Sequence, residues 1–203
     1  MNTDIIVLQI YDNAASIGFD SKILTYRPEG KKLQQHLLQI CGNQEYTGFI
    51  NLDFQKIEIC DVSFIDEVVF EFSLNLRQIN GNSITFLSNL DEYVFDSLRA
   101  AQLLKEDKLS KKLNEKVRLP LLYFKKNYGF DIIGEIEAVL VETFQYLKAK
   151  GTITARDIAF EKDIAINSAS NRLKKLFDYG LIQRETVTDS SGVYYQYLLP
   201  TVF

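Results

Sequence analysis

Few residues in this 203-residue chain have a type and spacing suited to covalent chemistry. The single histidine, His36, stands between glutamines and leucines, with no serine or cysteine nucleophile motif beside it. Cys41 and Cys60 both lie in apolar surroundings and read as buried free thiols of a cytoplasmic protein. The acids Asp53, Asp61, Asp66, Glu67 and Glu71 are scattered, and Asp66 and Glu67, being adjacent, diverge on a helix. There is no glycine-rich phosphate loop, no G-x-G-x-x-G fingerprint and no His/Cys grouping at metal-ligand spacing. An enzyme is not expected, and no cofactor or metal is called for.

Binding chemistry is better represented. The run Asn167-Ser-Ala-Ser-Asn-Arg-Leu-Lys-Lys-Leu-Phe-Asp-Tyr-Gly180 sets Ala169, Leu173, Leu176 and Phe177 on one apolar helical face. Ser170, Asn171, Lys174 and Lys175 fall opposite. Asn167 or Ser168 is suited to cap the helix start, and Gly180 to end it. Short polar groups near the start of a helix can reach base edges, and cations further along can meet phosphates.

The elements that must position this helix surround it. Thr154-Ala-Arg-Asp-Ile-Ala159 predicts a short capped helix, and residues 134–150 a longer one ending at Gly151. Leu181 to Val187 and Val193 to Leu199 read as strands, joined by the turn residues Asp189-Ser-Ser-Gly192. This order resembles a winged helix-turn-helix domain, in particular bacterial regulators with a T-A-x-D-I-A … S-x-x-S-x-R-L-K-x-L … G-L-I pattern. The matching residues are Thr154, Ala155, Asp157, Ile158, Ala159, Ser170, Arg172, Leu173, Lys174, Leu176, Gly180, Leu181 and Ile182. The resemblance implies double-stranded DNA as partner. Contacts would come from Ser168, Ser170, Asn171, Arg172, Lys174 and Lys175 on the recognition helix, from Arg156 and Lys162 before it, and from Arg184, Ser190 and Ser191 in the wing. Tyr194, Tyr195 and Tyr197 read as cross-strand pairs. A solvated helix face, or a winged helix that docks protein, is the competing reading of the same residues.

Charge is unevenly spread. Residues 1–98 carry 6 Lys/Arg against 14 Asp/Glu, residues 99–129 carry 9 against 3, and residues 130–203 carry 8 against 10. Because screening acts over about 8 Å, local patches rather than the net charge of −4 decide nucleic-acid binding. No apolar run approaches the roughly 18 residues of a membrane span. The opening Met1-Asn-Thr-Asp-Ile-Ile lacks a basic segment and cleavage site, which predicts no signal peptide and a cytoplasmic location.

The front half alternates predicted strands (5–11, 48–54, 83–87) with predicted helices (31–40, 64–76, 89–104), an α/β layer with mixed or parallel pairing. Arg27-Pro-Glu-Gly30 reads as a break before the first helix. Tyr26 to Gly30 and the segment Asn51-Leu-Asp-Phe-Gln-Lys-Ile-Glu-Ile-Cys-Asp-Val-Ser-Phe-Ile-Asp-Glu67 resemble bacterial STAS-like domains, relatives of anti-sigma-factor antagonists. The matching positions are Asp53, Phe54, Val62, Phe64, Ile65 and Asp66. Glu67 stands where phosphoswitch members carry serine, so no hydroxyl is available for a kinase there. A carboxylate also suits a helix N-terminus. The resemblance implies a mixed sheet backed by helices, used to dock a protein partner at Asp66 and Glu67. By analogy with the antagonists, that partner would have a histidine-kinase-like ATPase fold.

Residues 105–119 are highly charged, with Leu109, Leu113 and Val117 at helical spacing, and Pro120 follows. They read either as a solvated linker helix or as the seam of a homodimer. The expected organisation is an α/β STAS-like domain over 1–104, a basic helical linker over 105–133, and an α+β winged helix-turn-helix over 134–203. The expected function is a DNA-binding regulator whose front domain receives a signal by docking protein. A non-enzymatic adaptor is the alternative.

Overall fold

The computed structural model describes residues 5–42, 48–190 and 192–201 and divides the chain into two compact units, meeting between Gly134 and Glu135. The front unit is a mixed α/β layer. Strands β1 (Ile5–Gln9), β3 (Phe49–Asp53), β5 (Ile84–Ser88) and β6 (Leu121–Lys125) run parallel side by side. Strand β7 (Gly129–Ile133) adds antiparallel to β6, giving the order β1-β3-β5-β6-β7. A short parallel ribbon of β2 (Ile23–Leu24) and β4 (Ile59–Cys60) stands apart from this sheet.

Successive parallel neighbours that step in one direction, each joined by a right-handed crossover, put their helices on one face. Leu8, Leu52, Leu87 and Tyr123 share that face by register. They meet Leu33 and Leu37 of α2 (Arg27–Gly42), Phe72 and Leu76 of α4 (Phe72–Ile79), and Leu98 of α5 (Glu92–Leu113) in one core. The other face carries Phe49, Phe86 and Phe130, with the last two rings edge to face at 5.2 Å.

Several expectations are corrected. The first strand ends at Gln9, and a helix α1 (Ile10–Ser16) follows at once, because Ile10 and Ala14 lie one turn apart and are both buried. Arg27-Pro-Glu-Gly30 does not break the chain: it is the first turn of α2, where proline lacks only a donor that the helix leaves unused. The predicted helix 64–76 begins earlier, as α3 (Val62–Ile65), and continues through a π-helical turn (Asp66–Glu71) into α4.

The largest correction concerns residues 105–133, expected as a linker outside the front domain. Helix α5 runs through Leu113, where Asn114 turns left-handed (φ 53°), and β6 and β7 complete the sheet. Two buried polar side chains of α5 hold this return. The Gln102 amide donates to the Leu119 and Ile133 carbonyls (2.7 and 3.2 Å), and the Glu106 carboxylate accepts from Leu119 N–H (2.8 Å) and Arg118 (3.2 Å).

The rear unit holds α6 (Ala138–Lys150), β8 (Thr152–Thr154), α7 (Ala155–Lys162), α8 (Ile166–Asp178), β9 (Gln183–Asp189) and β10 (Gly192–Leu198). Its antiparallel sheet has the order β8-β10-β9, and β8 has no counterpart among the expected elements. Helix α6 starts at Ala138, four residues later than expected.

Gly134, with φ +111°, is the point where a side chain cannot be added. A Cβ there would lie 2.3 Å from the Gln102 amide nitrogen. Gly134→Ala is expected to destabilise the front unit by about 2–4 kcal/mol through backbone strain and loss of the Gln102 hydrogen bonds. Urea unfolding followed by circular dichroism measures this, and an unchanged midpoint would contradict the role given to Gln102.

Candidate nucleic-acid interface and the front-unit charge cluster

Helix α7 is set by a capping box. Thr154 Oγ1 accepts from Asp157 N–H, while the Asp157 carboxylate accepts from Thr154 N–H at 2.6 Å. Asp163, left-handed at φ 49°, closes α7 and allows α8 to begin at Ile166 with Ala165 as its N-cap. Asn167 and Ser168 therefore lie inside the first turn rather than capping it. The end of α8 is as expected. Gly180 (φ 76°) donates to Phe177 O, and Leu181 donates to Leu176 O, the paired bonds of a Schellman stop.

Ala169, Leu173, Leu176 and Phe177 form the buried face of α8, as their spacing predicts. The exposed remainder splits into two flanks. Ser170, Asn171 and Lys174 line a groove of about 750 Å³ whose other walls include Arg156 of α7 and Arg184, Tyr194 and Tyr195 of the β9–β10 hairpin. Ser168, Arg172 and Lys175 lie about 100–160° round the helix from Lys174, at 100° per residue, and do not line it. Lys162, at the end of α7, does not line it either. The expected set is thus divided: Arg156, Ser170, Asn171, Lys174 and Arg184 are brought together, and Lys162, Ser168, Arg172 and Lys175 are not. Ser190 is a turn residue directly after β9, and Ser191 lies outside the described residues.

Arg184 is held in place. Its guanidinium lies against the Phe177 and Tyr195 rings, 4.3 and 4.5 Å from their centroids, and Arg184 pairs across the ladder with the buried Tyr197. Burial pushes the Tyr197 phenol up, which Arg184 partly offsets. The groove is nearly balanced in charge, because Asp157 and Asp189 line it beside its three cations. Lys174 is paired with Asp178 at 2.5 Å, and Lys175 is paired with Glu137, which raises the Lys175 ammonium above its usual range. Tyr194, expected only as a cross-strand residue, donates its hydroxyl to Asp189 at 2.9 Å and joins the groove wall. That role depends on where the hairpin folds back, which strand periodicity does not carry.

In the front unit, Asp66 and Glu67 do not diverge. Both accept from Nη1 of Arg27, at 2.8 and 2.5 Å. The Lys105 ammonium, only 8% exposed, donates to Asp66 (2.5 Å) and Glu71 (2.6 Å) and lies 5.9 Å from the Phe70 centroid. Burial alone would raise the Asp66 carboxyl, but Lys105 and Arg27 together hold it below its usual range. Glu67 is nearly buried and lies within the π-helical turn, not at a helix N-terminus. The carboxylate at that N-terminus is Asp61, which accepts from Phe64 N–H (2.7 Å), Ser63 (2.9 Å) and Tyr26 N–H (3.1 Å). These bonds overcome its burial and keep it low. The motif Asp61-Val-Ser-Phe64 is a recognisable N-cap signal, and it starts the helix two residues before the predicted Phe64.

Asp53 belongs to a separate network, accepting from Gln55 N–H (2.9 Å) and Asn89 (2.8 Å). Burial pushes the Cys41 thiol up to about 11 and the Cys60 thiol higher, so both are poor nucleophiles at neutral pH. Among the described residues, no three or more His, Cys, Asp or Glu side chains are grouped to hold a metal, and no helix is long and apolar enough to cross a membrane.

Replacing Lys105 by methionine leaves Asp66 to Arg27 alone and takes the ammonium from half-exposed Glu71, at a cost of about 1–3 kcal/mol in urea unfolding at neutral pH. Asp66 has a lowered native pKa, so its stabilisation is complete above the unfolded value of about 3.9 and is lost as pH falls through the native value. Stability should therefore fall steeply below about pH 4, and Asp66→Asn should flatten that fall. A native-like acid slope in Asp66→Asn would contradict this assignment.

Comparison with protein-family models, curated proteins and solved structures returned no match to this chain, so its function rests on the geometry of its own residues.

Proposed function

We propose that the chain is a DNA-binding regulator, with the rear unit a winged helix-turn-helix and α8 its recognition helix. The observation that carries this reading is one groove lined by Ser170, Asn171 and Lys174 of α8 and by Arg184 of the hairpin. The hydroxyl and carboxamide can read base edges in the major groove, while Lys174, Arg156 and the stacked Arg184 meet phosphates. Arg184 arrives pre-organised, so little side-chain entropy opposes its contact. The front unit is proposed as a STAS-like docking domain for a protein partner, centred on Arg27, Asp66 and Glu67. Its signal would pass without covalent chemistry, since Glu67 offers no hydroxyl to phosphorylate.

The adaptor reading keeps a specific support. Asp157 and Asp189 line the groove, and Lys174 and Lys175 are both engaged in ion pairs. Such a balanced surface suits a mixed-charge protein epitope as well as a phosphate backbone.

Fluorescence anisotropy with duplex DNA, both from the gene's own upstream region and of random sequence, separates the two across a salt series. Lys174→Ala and Arg184→Ala should each flatten the slope of log affinity against log salt by about one unit on every duplex. Asn171→Ala should cost about 1–3 kcal/mol on a preferred sequence and little on random duplex. Arg172→Ala, on the other flank, should have the smaller effect. Salt-steep binding that is indifferent to Lys174 and Arg184 in folded variants would refute this groove as the interface. Absence of binding to any duplex at low salt would transfer the assignment to the adaptor.

A further inference from the structure

Helix α5 exposes large apolar side chains that its place in the front unit does not use. Val94, Leu98, Ala101, Gln102, Lys105 and Glu106 are its buried side. Away from them, Tyr93 is 70% exposed, Leu104 62% and Leu103 57%. Tyr93, Ser97, Ala100, Leu104, Asp107 and Lys111 follow one another at steps of four and three residues, the spacing of a helix–helix seam. Ser97 and Ala100 are small enough to let a second helix axis approach closely.

The charges on the exposed surface are polarised along the same helix. Asp91, Glu92 and Asp96 stand at its N-terminal end, and Lys108, Lys111 and Lys112 at its C-terminal end. Asp107 is the one acid among those cations and is already bonded to Lys111 at 2.7 Å. A second copy laid antiparallel would bring acidic end to basic end and opposed helix dipoles together, whereas a parallel copy would put like on like.

We propose that α5 is the seam of a homodimer, two copies packing antiparallel about a two-fold axis between Ala100 and Leu104. Counting outward from that axis, Ala100 of one copy faces Leu104 of the other, and Tyr93 faces Lys111, whose ammonium meets the ring. The contact lies wholly within the front unit. It goes beyond the DNA-binding reading and does not depend on it.

Sedimentation velocity on the full chain over a concentration series tests the dimer. Wild type should associate reversibly, and Leu104→Glu should raise the dissociation constant about thirtyfold or more by burying a charge at the centre of the seam. Its thermal unfolding, followed at a concentration where wild type is monomeric, should stay close to wild type, because Leu104 touches solvent in the monomer. Orientation is read by oxidising Tyr93→Cys and Lys111→Cys variants separately and mixed, Cys41 and Cys60 being buried. A cross-link formed only in the mixture supports the antiparallel seam. Cross-linking of Tyr93→Cys with itself, a wild-type monomer at every concentration, or an undiminished Leu104→Glu dimer would each overturn it.

Discussion

The front unit depends on the cost of burying one cation. An ammonium taken out of water loses several kcal/mol of hydration, and only close carboxylates can compensate for it. Lys105 finds two, Asp66 and Glu71, both on the π-helical turn, with the Phe70 ring nearby. Asp66 in turn shares Arg27 with Glu67. One chain of charges thereby fixes α5, the π-helical turn and the first turn of α2 against each other. Gly30 completes the fit, since a Cβ there would stand 3.1 Å from the Phe64 backbone. The wider turn of a π-helix keeps Asp66, Glu67 and Glu71 aimed at two cations on different helices, which explains why such a costly turn persists here.

The same burial explains what the sequence hides. Segments whose signal is local were legible: the apolar face of α8, its Gly180 stop, the Thr154 cap and the hairpin turn at Asp189 to Gly192. Residues 105–133 were not, because Lys105 and Glu106 look like members of a solvated charge run. Their partners lie 39 residues upstream at Asp66 and 12–13 downstream at Arg118 and Leu119. No periodicity records such pairings, so a helix and hairpin that complete the sheet resembled a linker. The helix α1 was missed for a different reason. Ile10 and Tyr11 extend the apolar run of β1, and only packing of Ile10 and Ala14 into the core turns the chain helical there.

At the candidate interface, periodicity gave the buried face of α8 but not which exposed flank meets the hairpin. That choice depends on the fold-back of β9, where Gln183 to Asp189 pairs with β10 along its whole length. Pairing across this ladder sets Arg184 opposite Tyr197, and the Phe177 and Tyr195 rings then lie against the guanidinium. The Lys174–Asp178 pair was foreseeable from i,i+4 spacing, whereas the Lys175–Glu137 pair requires α6 and α8 to meet.

These pairings bear on how the groove could discriminate. An exposed i,i+4 ion pair contributes about 0.3–0.5 kcal/mol, so Asp178 restrains Lys174 without withholding it from a phosphate. The two groove acids act differently. Asp157 is committed to the α7 cap and Asp189 accepts from Tyr194, so neither can leave the surface without disturbing the elements that shape it. Near them Arg156 offsets part of their charge, so a phosphate there meets mixed charge, whereas one on the Arg184 side meets a cation held against two rings. The groove is therefore uneven in its attraction for an anion, a constraint that cation counting along α8 would not reveal.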